Sequence, residues 1–147
     1  MQPALNPRPS STKEPSSTHQ NPYYSSSKRS EVVVLNRVFN QSSIRRGEVV
    51  CLNSPTSRKL IIKRVVGLEG DWIIKKDGFY VHVPQGQCWI EGDNQANSID
   101  SNSFGPVPLG LIRATVPYVV WPLNKARAVS KELTEDAKKR LRLVPYR

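Results

Sequence analysis

Between Glu31 and Trp121 the apolar residues come in short, β-branched runs, and each run is cut off before it reaches helix length. Glu31 to Asn36, Gly47 to Leu52 and Lys59 to Val66 are the first three, the last closed by Gly67. Asp71-Trp72-Ile73-Ile74 and Phe79-Tyr80-Val81-His82-Val83 flank the turn Lys75-Lys76-Asp77-Gly78 and read as a hairpin. Cys88 to Glu91 is another short strand, stopped by Gly92-Asp93-Asn94. Ile112 to Val116 is a late strand, with the apolar exit Tyr118-Val119-Val120-Trp121. Strands this short, with turn signals between them, predict a mainly β fold of antiparallel sheets or a partly open barrel. After Pro122 the character changes. Ser130 to Leu143 has helix formers and a cap-like Ser130, which predicts a short C-terminal helix. Its apolar stripe of Leu133, Ala137, Arg140 and Leu141 is weak, and Lys138, Lys139, Arg140 and Arg142 make it basic. A solvated helix packed lightly on the domain accounts for it; contact with an anionic membrane surface or a partner subunit is the functional alternative.

The 147 residues suffice for one domain, over residues 1–122, followed by a basic tail over 123–147. Hydrophobic content is only 37%, so part of the chain lies outside the core. Residues 8–30, dominated by Ser, Pro, Thr, Asn and Lys, read as a flexible surface loop, because they bury too little apolar surface to offset ordering entropy. No stretch approaches the roughly 18–20 apolar residues of a membrane span, and Met1 to Pro7 has no signal-peptide apolar region. Any membrane anchor would have to lie upstream of Met1. The formal charge of +10 suits acidic partners. Aromatic residues make up only 7%, without the basic-aromatic interleaving of a nucleic-acid surface, so no nucleic-acid partner is expected.

The chemistry is narrowed by elimination. Cys51 and Cys88 form no Cys-x-x-Cys; the pattern leaves one disulfide between them open, and two ordinary strand thiols is the simpler reading. His19 lies in the polar loop and His82 in a strand, with no ligand spacing between them or to a carboxylate. Metal binding and a Ser-His-Asp triad are both poorly supported. An enzyme built on this chain needs another base. Lys63 shares a strand face with Ile61 and Val65, and Arg64 faces the other way with Ile62 and Val66. A lysine turned toward an apolar side loses its proton more easily and becomes a competent base for a serine; arginine stays protonated. A snorkelling lysine at a sheet edge is the bland reading of the same pattern. The stretch from Gly92 to Val107 is a dense polar loop. It is either a connection held by Asx-turns or a loop shaping a site, with Ser98 or Asp100 orienting a neighbour.

Four segments in register resemble one family, the type I signal peptidases. Arg46-Gly47-Glu48-Val49-Val50 resembles their Arg-Gly-Asp-Val-Val box, with Glu for Asp. Lys63-Arg64-Val65-Val66-Gly67-Leu68-Glu69-Gly70-Asp71 is similar to the box carrying the catalytic lysine. Gly92-Asp93-Asn94 through Asn97-Ser98-Ile99-Asp100-Ser101 is similar to the final box. Met1-Gln2-Pro3-Ala4-Leu5 matches the tail of the serine box, Ser-Met-x-Pro-x-Leu. The matches run from residue 1 to about residue 121. Where bacterial members usually have Asp-Ser-Arg, this chain has Asp100-Ser101-Asn102-Ser103-Phe104-Gly105-Pro106-Val107. That variant, and the short spacing between the lysine and final boxes, resemble the mitochondrial inner-membrane branch of the family.

The resemblance implies a serine endopeptidase with a Ser–Lys dyad that removes sorting presequences. It makes Lys63 the general base, Ser98 the residue that orients its amine, and Asp93 and Asp100 supports of the loop. Met1 and Pro3 would be the substrate-proximal remnant of the serine box. The nucleophile would be the serine immediately before Met1, so the chain as written is expected to be inactive. No metal and no organic cofactor is implied. The partners implied are precursor polypeptides with sorting presequences, a sister peptidase subunit in a heterodimer, and the inner membrane through the upstream anchor. The implied location is that membrane, with the catalytic domain in the intermembrane space. The alternative is a non-catalytic isoform that binds the partner subunit or a presequence.

Overall fold

The computed structural model describes residues 31–37, 40 and 43–142. Met1, Pro3, His19 and the 8–30 segment lie outside these residues. Among the described residues the fold is mainly β: two antiparallel sheets, few helices and no closed barrel. The larger sheet takes β1 (Val32–Asn36), β2 (Val49–Asn53), β3 (Leu60–Leu68), β6 (Gln87–Glu91), β7 (Val107–Pro108), β8 (Ile112–Trp121) and β9 (Arg127–Ala128). Its order is β1-β8-β2-β3-β6-β7, with β9 on β8. The smaller sheet is β10-β4-β5, from β4 (Trp72–Ile74), β5 (Tyr80–His82) and β10 (Leu141–Arg142).

Strand positions follow the apolar runs because period-2 alternation fixes which side chains can face a core. On β2, β3 and β6 the residues Val50, Leu52, Val65, Cys88 and Ile90 join Ile44, Val107 and Ile112 in one buried cluster. Val66, Ile73, Val83, Trp89 and Ala137 form a second cluster, with residues from both sheets. Each Val, Leu or Ile side chain among them contributes about 1.5–3 kcal/mol when fully buried. Two runs extend further than the sequence pattern indicates. β3 continues through Gly67 to Leu68, with its register shifted between Val65 and Gly67. A side chain at Gly67 would meet Ile73, so the glycine permits close approach and does not end the strand. β8 likewise continues through Pro117, where its pairing with β1 is irregular. A proline that cannot donate to the ladder is tolerated at such a bulge.

The C-terminal helix starts later than its composition predicts. α2 is Glu135–Arg140, and its cap is Thr134, whose side chain accepts from the Ala137 N–H. Ser130 is not the cap. Its hydroxyl accepts from the Glu132 N–H in a local turn, and Ser130 lies five residues before the helix. Leu133, Ala137 and Leu141 pack on the second cluster, and the Arg140 side chain is buried with them. β9 and β10, on either side of this helix, pair with β8 and β4. Just before the helix, the chain crosses Gly47. A side chain there would stand 1.6 Å from the Lys131 carbonyl oxygen, and Gly47 has a φ of +87°, so glycine is required twice over.

Candidate active site

Strand β3 carries two adjacent cations to opposite destinations. The antiparallel pairing with β2 places Lys63 opposite Val50, which is fully buried. From there the Lys63 amine reaches the polar loop after β6, and Nζ donates to Ser98 Oγ at 2.6 Å. Burial lowers the pKa of this amine below that of an ordinary lysine; the nearby Asp100 carboxylate acts weakly in the other direction. Arg64, one residue on, grips Asp93 at the start of the same loop. Nε and Nη2 bind the two carboxylate oxygens at 2.8 and 2.7 Å. Nη1 also donates to the Gly47 carbonyl at 2.8 Å and to the Ser130 carbonyl. The Arg64 guanidinium holds the Asp93 carboxyl below its usual range.

Asp100 is buried and organises the far side of the loop. It caps the short helix α1 (Ser101–Phe104) by accepting from the Asn102 N–H at 3.1 Å, and its other oxygen accepts from the Gly92 N–H at 3.0 Å. Burial is the largest influence on its carboxyl and pushes the pKa up. Hydrogen bonds from Gly92, Asn102 and Ser98 together outweigh it, so the pKa is lowered. Ser98 thus stands between a desolvated amine and an ionised carboxylate. Its hydroxyl can accept from one and donate to the other, which fixes the lysine in place.

Two contributors to this geometry were not singled out by sequence reasoning. Gly92 is one. A Cβ there would stand 2.2 Å from Ser98 Oγ and 3.2 Å from Lys63 Nζ. The signal was the glycine itself, which reads equally well as a strand terminator. Gly92→Ala is expected to displace the amine by several tenths of an ångström or more and to lower turnover about 10²-fold with little change in melting temperature. Steady-state kinetics beside a thermal melt checks this; an unchanged kcat would mean that the close approach does not set the amine's position. Asn102 is the other. It donates through Nδ2 to Glu91 Oε1 at 3.1 Å and to Asp100 Oδ1 at 3.0 Å, and its Oδ1 accepts from the Lys76 N–H at 3.2 Å. Its departure from the Asp-Ser-Arg pattern therefore falls at a well-connected position.

Other chemistries find little support. Cys51 and Cys88 are buried free thiols, and burial pushes Cys88 up to about 12 and raises Cys51. His82 is exposed, its ring tilted against that of Trp72 in the small sheet with centroids 5.1 Å apart. Among the described residues, no group of three His, Cys, Asp or Glu side chains could hold a metal, and no helix is long and apolar enough to cross a membrane. Two cavities, of about 420 and 300 Å³, are lined by neither Lys63 nor Ser98.

The family model described as "Signal peptidase, peptidase S26" matches residues 12–82 and 75–121. Mitochondrial inner membrane protease subunit 2 of Mus musculus is 41% identical over 141 residues, covering 92% of this chain and 70% of that protein. The Danio rerio protein of the same name is 38% identical over 141 residues, covering 92% of this chain and 67% of its own length. Mitochondrial inner membrane protease subunit 1 of Homo sapiens is 48% identical over 87 residues, which span 55% of this chain and 52% of that protein. A signal peptidase I from Enterococcus faecalis superposes with a TM-score of 0.44 at 20% identity, covering 50% of this chain and 96% of that one.

Proposed function

Because the chain belongs to the signal peptidase family, peptidase S26, we propose that it is the catalytic body of a mitochondrial inner-membrane peptidase that uses Lys63 as its general base. One observation carries this reading. The Lys63 amine is partly desolvated, lowered in pKa and held at 2.6 Å by Ser98, which favours the neutral form that a general base needs. Ser98 is the orienting residue, and Asp93 and Asp100 hold the loop that carries it. The catalytic body is residues 1–122, and the basic segment 123–147 returns to it through β9, β10 and the packing of Ala137.

The nucleophile is the serine that the family pattern places directly before Met1, with Met1 and Pro3 as the rest of its turn. Neutral Lys63 takes the serine proton as the oxygen attacks the scissile carbonyl of a sorting presequence. The oxyanion is met by backbone N–H donors around the serine. Lys63 returns the proton to the leaving amine, and water then hydrolyses the acyl-enzyme through the same base. The substrate is an extended peptide laid along a sheet edge. A sister subunit is the partner, as the pairing of subunit names among the relatives suggests. An anchor upstream of Met1 holds the domain to the inner membrane on the intermembrane-space side.

The test is cleavage of a presequence precursor by the protein carrying that upstream serine, followed across pH. Only neutral Lys63 works as the base, so the rate should rise with pH, about tenfold per unit, and level off below the 10.5 of an ordinary lysine. Replacing the upstream serine by alanine should abolish cleavage. No cleavage by the serine-bearing protein in the presence of its partner would overturn the reading and favour a binding subunit. A flat pH profile would remove Lys63 from the base role.

A further inference from the structure

The buried ion pair at the C-terminal end of the chain connects to Lys63 through a series of hydrogen bonds and one close contact, that of Gly92 with Ser98. Arg140, at the end of α2, binds Glu91 through both guanidinium nitrogens, at 2.8 and 2.6 Å, and both side chains are buried. Two further bonds fix the guanidinium: Nε donates to Asp136 at 2.9 Å and Nη1 to the Ile74 carbonyl at 3.2 Å. Glu91 is the last residue of β6 and immediately precedes Gly92. Its Oε1 also accepts from the Trp89 indole at 2.8 Å and from Asn102 at 3.1 Å. Asn102 passes on to Asp100, Asp100 accepts from the Gly92 N–H, Gly92 lies close against Ser98, and Ser98 holds Lys63.

Each link does two things. A carboxylate with several donors cannot rotate without losing one, so Glu91 fixes the end of β6, from which Gly92 presses on Ser98. Asn102 has one amide nitrogen shared between two carboxylates, Glu91 and Asp100, so its position depends on both. Burial is the largest influence on Glu91 and raises its pKa, but Arg140, Trp89 and Asn102 together hold it low and keep the carboxylate ionised. Without Arg140 that charge would be buried with no cation against it, and neither it nor Asn102 would keep its place.

We propose that Arg140 is a positioning residue of the active site: acting through Glu91, Asn102 and Asp100, it holds the Ser98–Lys63 pair from the far end of the chain. This rests on the reading of Lys63 and Ser98 given above. The C-terminal helix is then part of the site's architecture and is required for the geometry of the base.

The test reads the lysine itself. Lys63 is titrated by NMR in the full chain with labelled lysine, its signal assigned by its loss in Lys63→Ala. The main variant is Glu91→Gln together with Arg140→Met. It removes the pair at once, so net charge near the site is unchanged and no buried charge is stranded. The charged group facing the amine is Asp100; Val50 faces it from β2, and Arg64 and Asp93 neutralise each other beside it. A shift in this variant therefore reports position and solvation. The expected result is a Lys63 titration moved upward by about half a unit or more as water reaches the loosened amine, with near-ultraviolet circular dichroism unchanged. Asn102→Ala, which cuts the chain at an uncharged link, should shift it in the same direction. Combining the two sets of changes should add little beyond either, because they break one chain. An unmoved titration in the folded pair variant overturns the proposal, and so does an additive response. If the pair variant does not fold, an unmoved titration in Asn102→Ala overturns it alone. The readout needs no cleavage, so a failure of the peptidase reading and a failure of this one are told apart.

Discussion

Lys63→Ala is expected to lower presequence cleavage about 10⁴-fold or more while leaving the melting temperature within a few degrees of the parent. The magnitude follows from removing the base of a nucleophile–base pair, which costs nearly as much as removing the whole unit. The small structural effect follows from the site. Lys63 lies on β3 between Ile62 and Arg64, where ladder bonds to β2 hold the backbone whatever the side chain. Its amine is desolvated, so folding proceeds against part of its hydration. Between its lowered pKa and 10.5 the unfolded chain holds a proton that the folded chain does not, so stability rises with pH across that window. Alanine removes that burden, which offsets the lost packing of the stem. Lys63→Arg should be equally inactive, because a guanidinium does not give up its proton. Single-turnover cleavage beside a thermal melt separates the two effects. Turnover within tenfold of the parent would take Lys63 out of the reaction.

Trp89→Ala is expected to cost about 3–5 kcal/mol of stability, the largest loss from any single truncation in this domain. Trp89 is 0% exposed in β6 and packs with Val66, Ile73, Val83 and Ala137, so its ring joins the two sheets and the C-terminal helix. No neighbour is placed to fill the space: Gly67 offers no side chain, and Ile73 is already pressed against the Gly67 backbone. The substitution also removes the indole donor from Glu91 at 2.8 Å, so a buried carboxylate loses one of its partners. Urea unfolding followed by circular dichroism measures the loss. A change below about 1 kcal/mol would mean that the cluster repacks, against the close packing seen around the ring.

The strands were legible because a half-buried strand has to alternate, and Gly, Pro, Asp and Asn mark its ends. The same logic misread Gly67 as a terminator and Pro117 as a break. Whether a glycine ends a strand or admits a neighbour depends on Ile73, and whether a proline breaks one depends on a local shift in pairing with β1. Ser130 looked like a helix cap because its composition is right; Thr134, with Ala137 placed to donate to it, does the capping. At the site, alternation could place Lys63 and Arg64 on opposite faces, but it could not say which of them meets a hydroxyl. The family resemblance pointed to Lys63 and Ser98, and the structure brings their atoms within a hydrogen bond although they are 35 positions apart. Glu91 and Arg140 are 49 positions apart and belong to no shared motif, so only the fold reveals that they meet.

The two cysteines have a practical consequence. Cys51 and Cys88 are the only cysteines in the chain, both are buried, and burial disfavours both thiolates. Maleimides and disulfide-forming spin labels react with exposed thiolates, so the native thiols should stay silent at neutral pH without being mutated. A single cysteine introduced at an exposed position, such as Phe79 at the tip of the small sheet, would then be the one reactive handle on the molecule. Fluorescent or cross-linking probes could be walked across its surface in an otherwise unaltered sequence, to find where a membrane or a second subunit touches it.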